Sequence, residues 1–364
     1  MKKSLKKYNK KIIFFCPSIE EGGVEKNLIN ICNGISINRK ISIITANKNK
    51  KKYFNKSIKF ISSKSNFFNS KIRLIKSFFC VYLLLKNYKN ERTTLVSFQS
   101  NIFAIIFSKL LGYKVIIRSN QSPNNYARNL IKKIIMAYFY KKADKIIVNS
   151  QDFKQEFKKF FNLNPINIYN LIEPKKKINK LSKYKIKNCF FSNSKKIINI
   201  LSVGRLVKQK DQITILRSLN LIKNKKKFRF YLIGKGKELN NLNKYINNNK
   251  LNNKVRIISY QNNIYPYYLK SDVFIMSSLY EGLPNTLIEA LTLGVPIISS
   301  DCKTGPREIL NKQKYGKLFK IGDYKSLSKL IIKIKKKRKA VYLEDKRFNF
   351  KKNLQKYSNL IYNL

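Results

Sequence analysis

Short β-rich runs recur along this chain, and each is followed by a stretch with helical spacing. Lys11 to Cys16, Ile41 to Thr45, Thr94 to Phe98, Lys114 to Arg118 and Lys145 to Asn149 read as strands. After Gly22-Gly23, apolar residues at Val24, Leu28, Ile31 and Ile35 fall at intervals of four, three and four, which predicts a helix. Strands that alternate with helices pair most readily in parallel, with the helices crossing over the faces of the sheet. Near Pro174 the rhythm breaks, and residues 175–196 read as a linker or extended edge. It then restarts. Ile197 to Val203, Phe228 to Ile233, Val255 to Ser259, Val273 to Ser277 and Val295 to Ser300 predict strands, with helices after Asp211 and from Asn285. The reading is an α/β protein with two Rossmann-like, doubly wound domains facing each other across a cleft. Residues 1–174 form the first domain and residues 197–345 the second. Residues 346–364 form a basic helical tail weakly anchored by Phe348, Leu354 and Leu360. A length of 364 residues suits two domains of roughly 100–200 residues each. In such sheets ligands bind beyond the carboxyl ends of the strands, so the loops that follow strands carry the information.

Composition narrows the chemistry. There is no His, which removes the commonest general base and zinc ligand. The five Cys are scattered without Cys-x-x-Cys spacing and suggest neither a disulfide framework nor a metal knuckle. Catalysis therefore falls to carboxylates, cations, hydroxyls and backbone amides, and no metal ligand set is expected. Lys and Arg number 78 against 18 Asp and Glu, a formal charge of +60. The accompanying abundance of Asn, Ile, Phe and Tyr fits a biased nucleotide composition as well as a selected anionic partner. A surface this basic is in either case drawn to anionic membranes and polyanions. The apolar run Ile12 to Cys16 is too short for a signal segment, and Phe78 to Leu85 falls far short of the ~20 residues of a membrane span. The expectation is a cytoplasmic protein, soluble or peripheral on the inner face of the membrane. Basic amphipathic stretches at Lys71 to Lys89 and Arg128 to Lys142 are candidates for an anionic leaflet, and equally for core-packed helices with solvated lysines.

Four loops carry candidate chemistry. The strongest, Ser277 to Leu291, joins a strand to a helix. Gly282 and Pro284 fix its turn, and Asn285 is expected to cap the helix. Glu281 and Glu289 then converge near a helix N-terminus, which suits carboxylates for sugar hydroxyls and backbone amides for phosphate. The second, Val203 to Asp211, offers Gly204 for a tight turn and the cations Arg205 and Lys210 for a diphosphate. The third is Gly234-Lys235-Gly236, a turn between strand and helix. The fourth, Glu21-Gly22-Gly23-Val24-Glu25, follows the first strand, and its glycines allow close backbone approach.

Glu281-Gly-Leu-Pro-Asn-x-x-x-Glu289-Ala, with Gly294-Val-Pro-Ile-Ile-Ser-Ser-Asp-Cys-x-x-Gly-Pro-Arg-Glu-Ile-Leu310 after it, resembles the signature of retaining glycosyltransferase family 4, also called glycosyl transferases group 1. Its Gly-Pro-x-Glu-Ile-Leu continuation is similar to enzymes that build surface polysaccharides and lipid-linked glycans. The resemblance covers nearly all of residues 197–311 and, more loosely, residues 11–173. It implies a GT-B type fold and metal-independent transfer of a sugar, with retention, from a nucleoside diphosphate sugar to a saccharide or lipid-linked saccharide hydroxyl. A UDP-sugar is favoured as co-substrate, with no further cofactor. By the same resemblance Glu281 holds the donor sugar, Glu289 the ribose, and Arg205 and Lys210 the diphosphate. Gly22, Gly23, Gly204, Gly234, Gly282, Leu283, Pro284 and Asn285 shape the donor site. Many relatives carry a His in the first domain. The stretch here is Arg118-Ser119-Asn120, which makes Arg118 and Asn120 the acceptor-side candidates. Two other readings stay open: a sugar-nucleotide epimerase on the same architecture, and a basic nucleic-acid-binding protein, although no recognisable nucleic-acid module is present.

Overall fold

The computed structural model describes residues 11–20, 22–63, 72–88, 92–120, 122–126, 129–187, 189–335 and 345–364. The chain divides into two compact units. One comprises Met1–Leu171 with Phe350–Leu364, and the other Ile172–Asn349.

The first unit is built on β1 (Lys11–Phe15), β2 (Ile41–Ile44), β3 (Lys59–Ile61), β4 (Thr93–Ser97), β5 (Lys114–Ser119), β6 (Lys145–Val148) and β7 (Ile166–Asn167). They form one sheet in the order β3-β2-β1-β4-β5-β6-β7, and every adjacent pair is parallel. Alternate residues of each strand serve opposite faces. Ile12, Phe14, Val96 and Ile116 pack against Leu28, Ile31 and Ile35 of helix Gly23–Ile35. Ile13, Phe15 and Leu95 pack against Cys80, Val81 and Leu84 of helix Arg73–Tyr88. Because both faces are covered, the strands read as near-continuous apolar runs, and this is why they were legible.

The second unit contains β8 (Ile198–Val203), β9 (Phe228–Ile233), β10 (Val255–Ile258), β11 (Val273–Met276), β12 (Ile297–Ser300) and β13 (Lys317–Phe319). The order is β10-β9-β8-β11-β12-β13, again parallel throughout. In both sheets the strand order reverses direction beside the first strand of the unit. The crevices of ligand-binding type therefore open between β1 and β4, and between β8 and β11.

Two boundaries differ from the sequence reading. The stretch 175–196 is not simply a linker. Its first part is helix Lys175–Ser182, which buries Ile178 completely and packs on helix Tyr265–Lys270 in the second unit. Asn263 fastens it by donating from Nδ2 to the Leu181 carbonyl at 2.7 Å. The C-terminal segment is no loosely held tail either. Helix Phe350–Tyr362 returns to the first unit and packs against helix Gly23–Ile35. Its anchors are Tyr357 and Ile361, both fully buried in that core, with Leu354 and Leu360 partly buried beside them.

Candidate active site

The loops that follow β8 and β11 border the crevice of the second sheet, and they are fastened to each other. Leu279 donates its amide to the Gln209 carbonyl at 2.8 Å, and Gln209 returns Nε2 to the Tyr280 carbonyl at 2.8 Å. Ser277 Oγ lies 3.0 Å from the Lys210 carbonyl and 2.8 Å from that of Asp211. Gln212, opening helix Gln212–Ile222, donates Nε2 to the Arg205 carbonyl at 2.8 Å. Two loops about seventy residues apart in sequence thus form one polar surface, with their backbone groups satisfied by each other.

That lacing sets the ionic centre of the site. Lys210 Nζ donates to Glu281 Oε1 in a direct ion pair, and Ser278 Oγ donates to the same oxygen at 2.6 Å. The Glu281 side chain is 8% exposed and that of Lys210 19%, so the pair sits at the mouth rather than in open solvent. A third loop, after β12, holds the second in place. Ser300 Oγ and Cys302 Sγ contact the Ser278 carbonyl at 2.7 and 2.9 Å, and Thr304 Oγ1 donates to the Glu281 carbonyl at 2.5 Å. Burial pushes the Cys302 thiol up to about 11, so it acts as a neutral donor. Gly305, at φ +90°, passes so close to Gly282 that a Cβ would stand 2.2 Å from the Gly282 carbonyl oxygen.

Arg205 is exposed, and its guanidinium has no partner among the described residues. The site therefore holds one cation clamped by a carboxylate and one that is uncommitted.

Helix Asn285–Thr292 starts differently from the expectation. Pro284 is the capping position, with no side-chain hydrogen bond to the helix, and Asn285 is the first helical residue. Proline's missing N–H costs nothing there, since the first amides of a helix have no preceding helical carbonyl. Glu289 lies one turn in and is 2% exposed. The hydroxyl of Tyr268 is raised well above its ordinary value by burial and by the neighbouring Glu289 carboxylate. It also donates to the Thr286 carbonyl at 3.0 Å. Leu283 is buried beside this turn.

The glycines separate into two kinds. Gly234 and Gly236 are demanded by packing. A Cβ would lie 1.9 Å from the Gly204 carbonyl oxygen in the first case and 2.1 Å from that of Leu206 in the second. This Gly-x-Gly turn lets the loop after β9 hydrogen-bond to the loop after β8, through Leu206 N to Lys235 O at 2.9 Å. Gly204 lies in a bend without positive φ, and a Cβ there meets only the Lys210 methylenes at 3.7 Å or beyond. Gly22, in extended backbone at φ −166°, would place a Cβ 2.7 Å from the mobile end of Glu25 alone. Gly23 opens the following helix. The fold does not require glycine at 22 or 204. Glu21 lies outside the described residues.

Arg118 is a correction. The expected loop is the end of β5, which runs to Ser119, and Arg118 is 1% exposed. Its Nε donates to the Tyr357 hydroxyl at 2.8 Å, one Nη donates to Asn170 Oδ1 at 2.6 Å, and the guanidinium lies 5.2 Å from the Phe98 ring centre. It ties the returning C-terminal helix to the sheet, which gives the residue a structural role, while its buried Nη1 has no hydrogen-bond partner among the described residues. Asn120, just past the strand, donates Nδ2 to the Phe98 carbonyl at 2.8 Å. The sequence reading missed Ser278, Thr304, Gln209 and Tyr268. Ser278, three residues before Glu281, and Gln209, beside Lys210, carried a usable signal because they lie in the same loops as those candidates.

Two doubly wound parallel sheets in one chain, the second with this ionic site at its crevice, define the GT-B class of fold. Solved structures agree. HepE of Anabaena, in complex with UDP-glucose, superposes with a TM-score of 0.74 at 15% identity over 97% of this chain and 100% of its own. The family model for glycosyl transferases group 1 matches residues 184–357. The amylovoran biosynthesis glycosyltransferase AmsD of Erwinia amylovora is 31% identical over 263 residues, 71% of this chain and 70% of its own. An uncharacterized glycosyltransferase of Methanocaldococcus jannaschii is 33% identical over 256 residues, spanning 65% of this chain and 62% of that relative's length. A Campylobacter jejuni N-acetylgalactosaminyltransferase, named for a diphospho-undecaprenol-linked acceptor, is 27% identical over 236 residues, 62% of each chain. The chain belongs to the glycosyl transferases group 1 family.

Proposed function

We propose that this protein transfers a hexosyl group from a nucleoside diphosphate sugar to a saccharide hydroxyl, with retention of configuration and without a metal ion. The observation that carries the reading is the cation pair beyond β8: Arg205 exposed and without a side-chain partner among the described residues, Lys210 held by Glu281. A diphosphate leaving group needs positive charge where its own negative charge grows, and two fixed cations supply that. In the free site the Glu281 carboxylate neutralises Lys210. On binding, the diphosphate engages Arg205 and competes for Lys210, which frees Glu281 to accept hydrogen bonds from the donor sugar. Glu289 accepts the ribose hydroxyls, with Tyr268 holding that region of the helix. The departing phosphate takes the acceptor proton, so no histidine base is needed.

A UDP-sugar is the favoured donor, and HepE, which shares the fold, binds UDP-glucose. The acceptor is a growing surface glycan or its lipid-linked precursor, as the names of the Erwinia and Campylobacter relatives suggest. Nucleotide sugars and such precursors meet at the cytoplasmic face of the membrane, where the protein is proposed to work. A panel of UDP-, GDP- and dTDP-sugars with lipid-pyrophosphate saccharides, read by mass spectrometry, tests this. A mass increment of one hexosyl residue on an acceptor supports the reading. Donor epimerisation without acceptor, or no turnover with any pair, contradicts it.

A further inference from the structure

We propose that one face of the first unit, formed by helices Arg73–Tyr88 and Leu130–Lys141 with helix Asn101–Leu110 between them, docks on an anionic lipid bilayer. The proposal stands on this surface alone and goes beyond glycosyl transfer.

These helices are apolar on both sides. The inner face of Arg73–Tyr88 buries Cys80, Val81, Leu84 and Tyr88, while Leu74, Phe78 and Tyr82 on its outer side are 57%, 58% and 53% exposed. Helix Leu130–Lys141 buries Tyr140 and exposes Ile131, Ile134 and Tyr138. Helix Asn101–Leu110 packs against both, and the Phe78 and Phe103 rings meet edge to face at 5.0 Å. The exposed residues thus form one apolar surface rather than scattered singles. A helix that is apolar all round belongs in a core or against a lipid phase. Among the described residues no core covers the outer side.

Charge selects the occupant. The three helices contain no Asp or Glu, and Arg73, Lys86, Lys132 and Lys141 are exposed around the patch. Two lysines lie against tyrosines one turn earlier. Lys142 donates to the Tyr138 hydroxyl at 2.8 Å, and Lys86 stands 5.9 Å from the Tyr82 ring centre. Tyrosine with lysine suits the boundary between acyl chains and headgroups, where each residue has an apolar body and a polar tip. A second copy of a chain with formal charge +60 would bring like charges together across this face. A bilayer with anionic headgroups offers apolar depth and opposite charge at once. Among the described residues no helix is long and apolar enough to cross a membrane, so the contact is one of lying on the surface.

The test uses the full chain sedimented at physiological salt with vesicles of phosphatidylcholine alone or mixed with phosphatidylglycerol. The wild type is expected to partition onto the mixed vesicles. The variant Leu74→Ser/Ile131→Ser/Ile134→Ser is expected to partition about tenfold or more weakly. Ile37→Ser, at a residue 75% exposed outside the patch, is expected to behave as the wild type. Melting temperature and UDP binding, which do not use this surface, show that the triple variant is folded. Equal sedimentation of wild type and triple variant would overturn the proposal, because binding would then be charge alone. So would sedimentation velocity showing a wild-type dimer that the triple variant abolishes.

Discussion

The two units repeat one architecture and use it in opposite ways. In the second, the loops at the crevice are laced together and hold buried or half-buried polar groups: Lys210, Glu281, Ser278, Thr304 and Cys302. In the first, the equivalent position between β1 and β4 carries a different set, in which Ser18 Oγ donates to Glu20 Oε1 at 3.2 Å and Gln99 Nε2 to Glu25 Oε1 at 3.4 Å. Gln99 Oε1 accepts from the Ser18 amide at 3.1 Å, and Lys76 Nζ donates to Ser18 Oγ at 3.2 Å. The first unit's distinctive surface is instead apolar and lies on its helices. A doubly wound sheet supplies the crevice in both cases, but the side chains on the loops decide whether it becomes an ionic site.

The largest effect that would sharpen this contrast is on turnover. Lys210→Met removes a cation aimed at the leaving group, and kcat is expected to fall about 100- to 1,000-fold, as for the loss of other charge-stabilising donors. Single-turnover rates with saturating donor measure this, and an unchanged rate would place the chemistry elsewhere. Arg118→Ala should act on the other unit and on stability. Losing hydrogen bonds from a buried guanidinium to Tyr357 and Asn170 should cost about 3 kcal/mol or more in urea unfolding. Acceptor KM in the fraction that remains folded should not change.

The glycines give a subtler comparison. Gly234→Ala forces a methyl against the Gly204 carbonyl and should destabilise by about 1–3 kcal/mol. Gly22→Ala should change stability by less than about 0.5 kcal/mol, because only the end of Glu25 must move. If Gly22→Ala nevertheless slows transfer, glycine is kept there for a ligand. The smallest effect is chemical. Cys16, Cys32 and Cys302 are buried with thiols pushed up by desolvation, Cys80 is pushed up likewise, and Cys189 is half-exposed. Iodoacetamide at mildly alkaline pH should therefore label Cys189 alone in the native protein, as peptide mapping would show.

The long strands were readable because each is buried on both faces and leaves an unbroken apolar run. β3 and β7, with three and two residues, leave too little pattern to read. The C-terminal helix was read as a weakly anchored tail because its lysines obscure Tyr357 and Ile361, whose importance comes from helix Gly23–Ile35 more than three hundred residues earlier. At the site, the residue types and their loops could be read, but the pairing of Lys210 with Glu281 could not. Seventy-one positions separate them, and only the adjacency of β8 and β11 brings them together. Arg118 reads as the end of a strand in sequence and structure alike, but a buried guanidinium looks in sequence like an exposed one.

The central claim is that the loops beyond β8 and β11 bind a nucleoside diphosphate through Arg205 and Lys210. Calorimetric titration of UDP into the wild type and Arg205→Ala tests it most directly, since Arg205 is exposed and its removal should leave the melting temperature unchanged. The account expects affinity to fall roughly 10- to 150-fold, the equivalent of about 1.5–3 kcal/mol of charge-assisted hydrogen bonding. Equal affinity of the two proteins for UDP would contradict it.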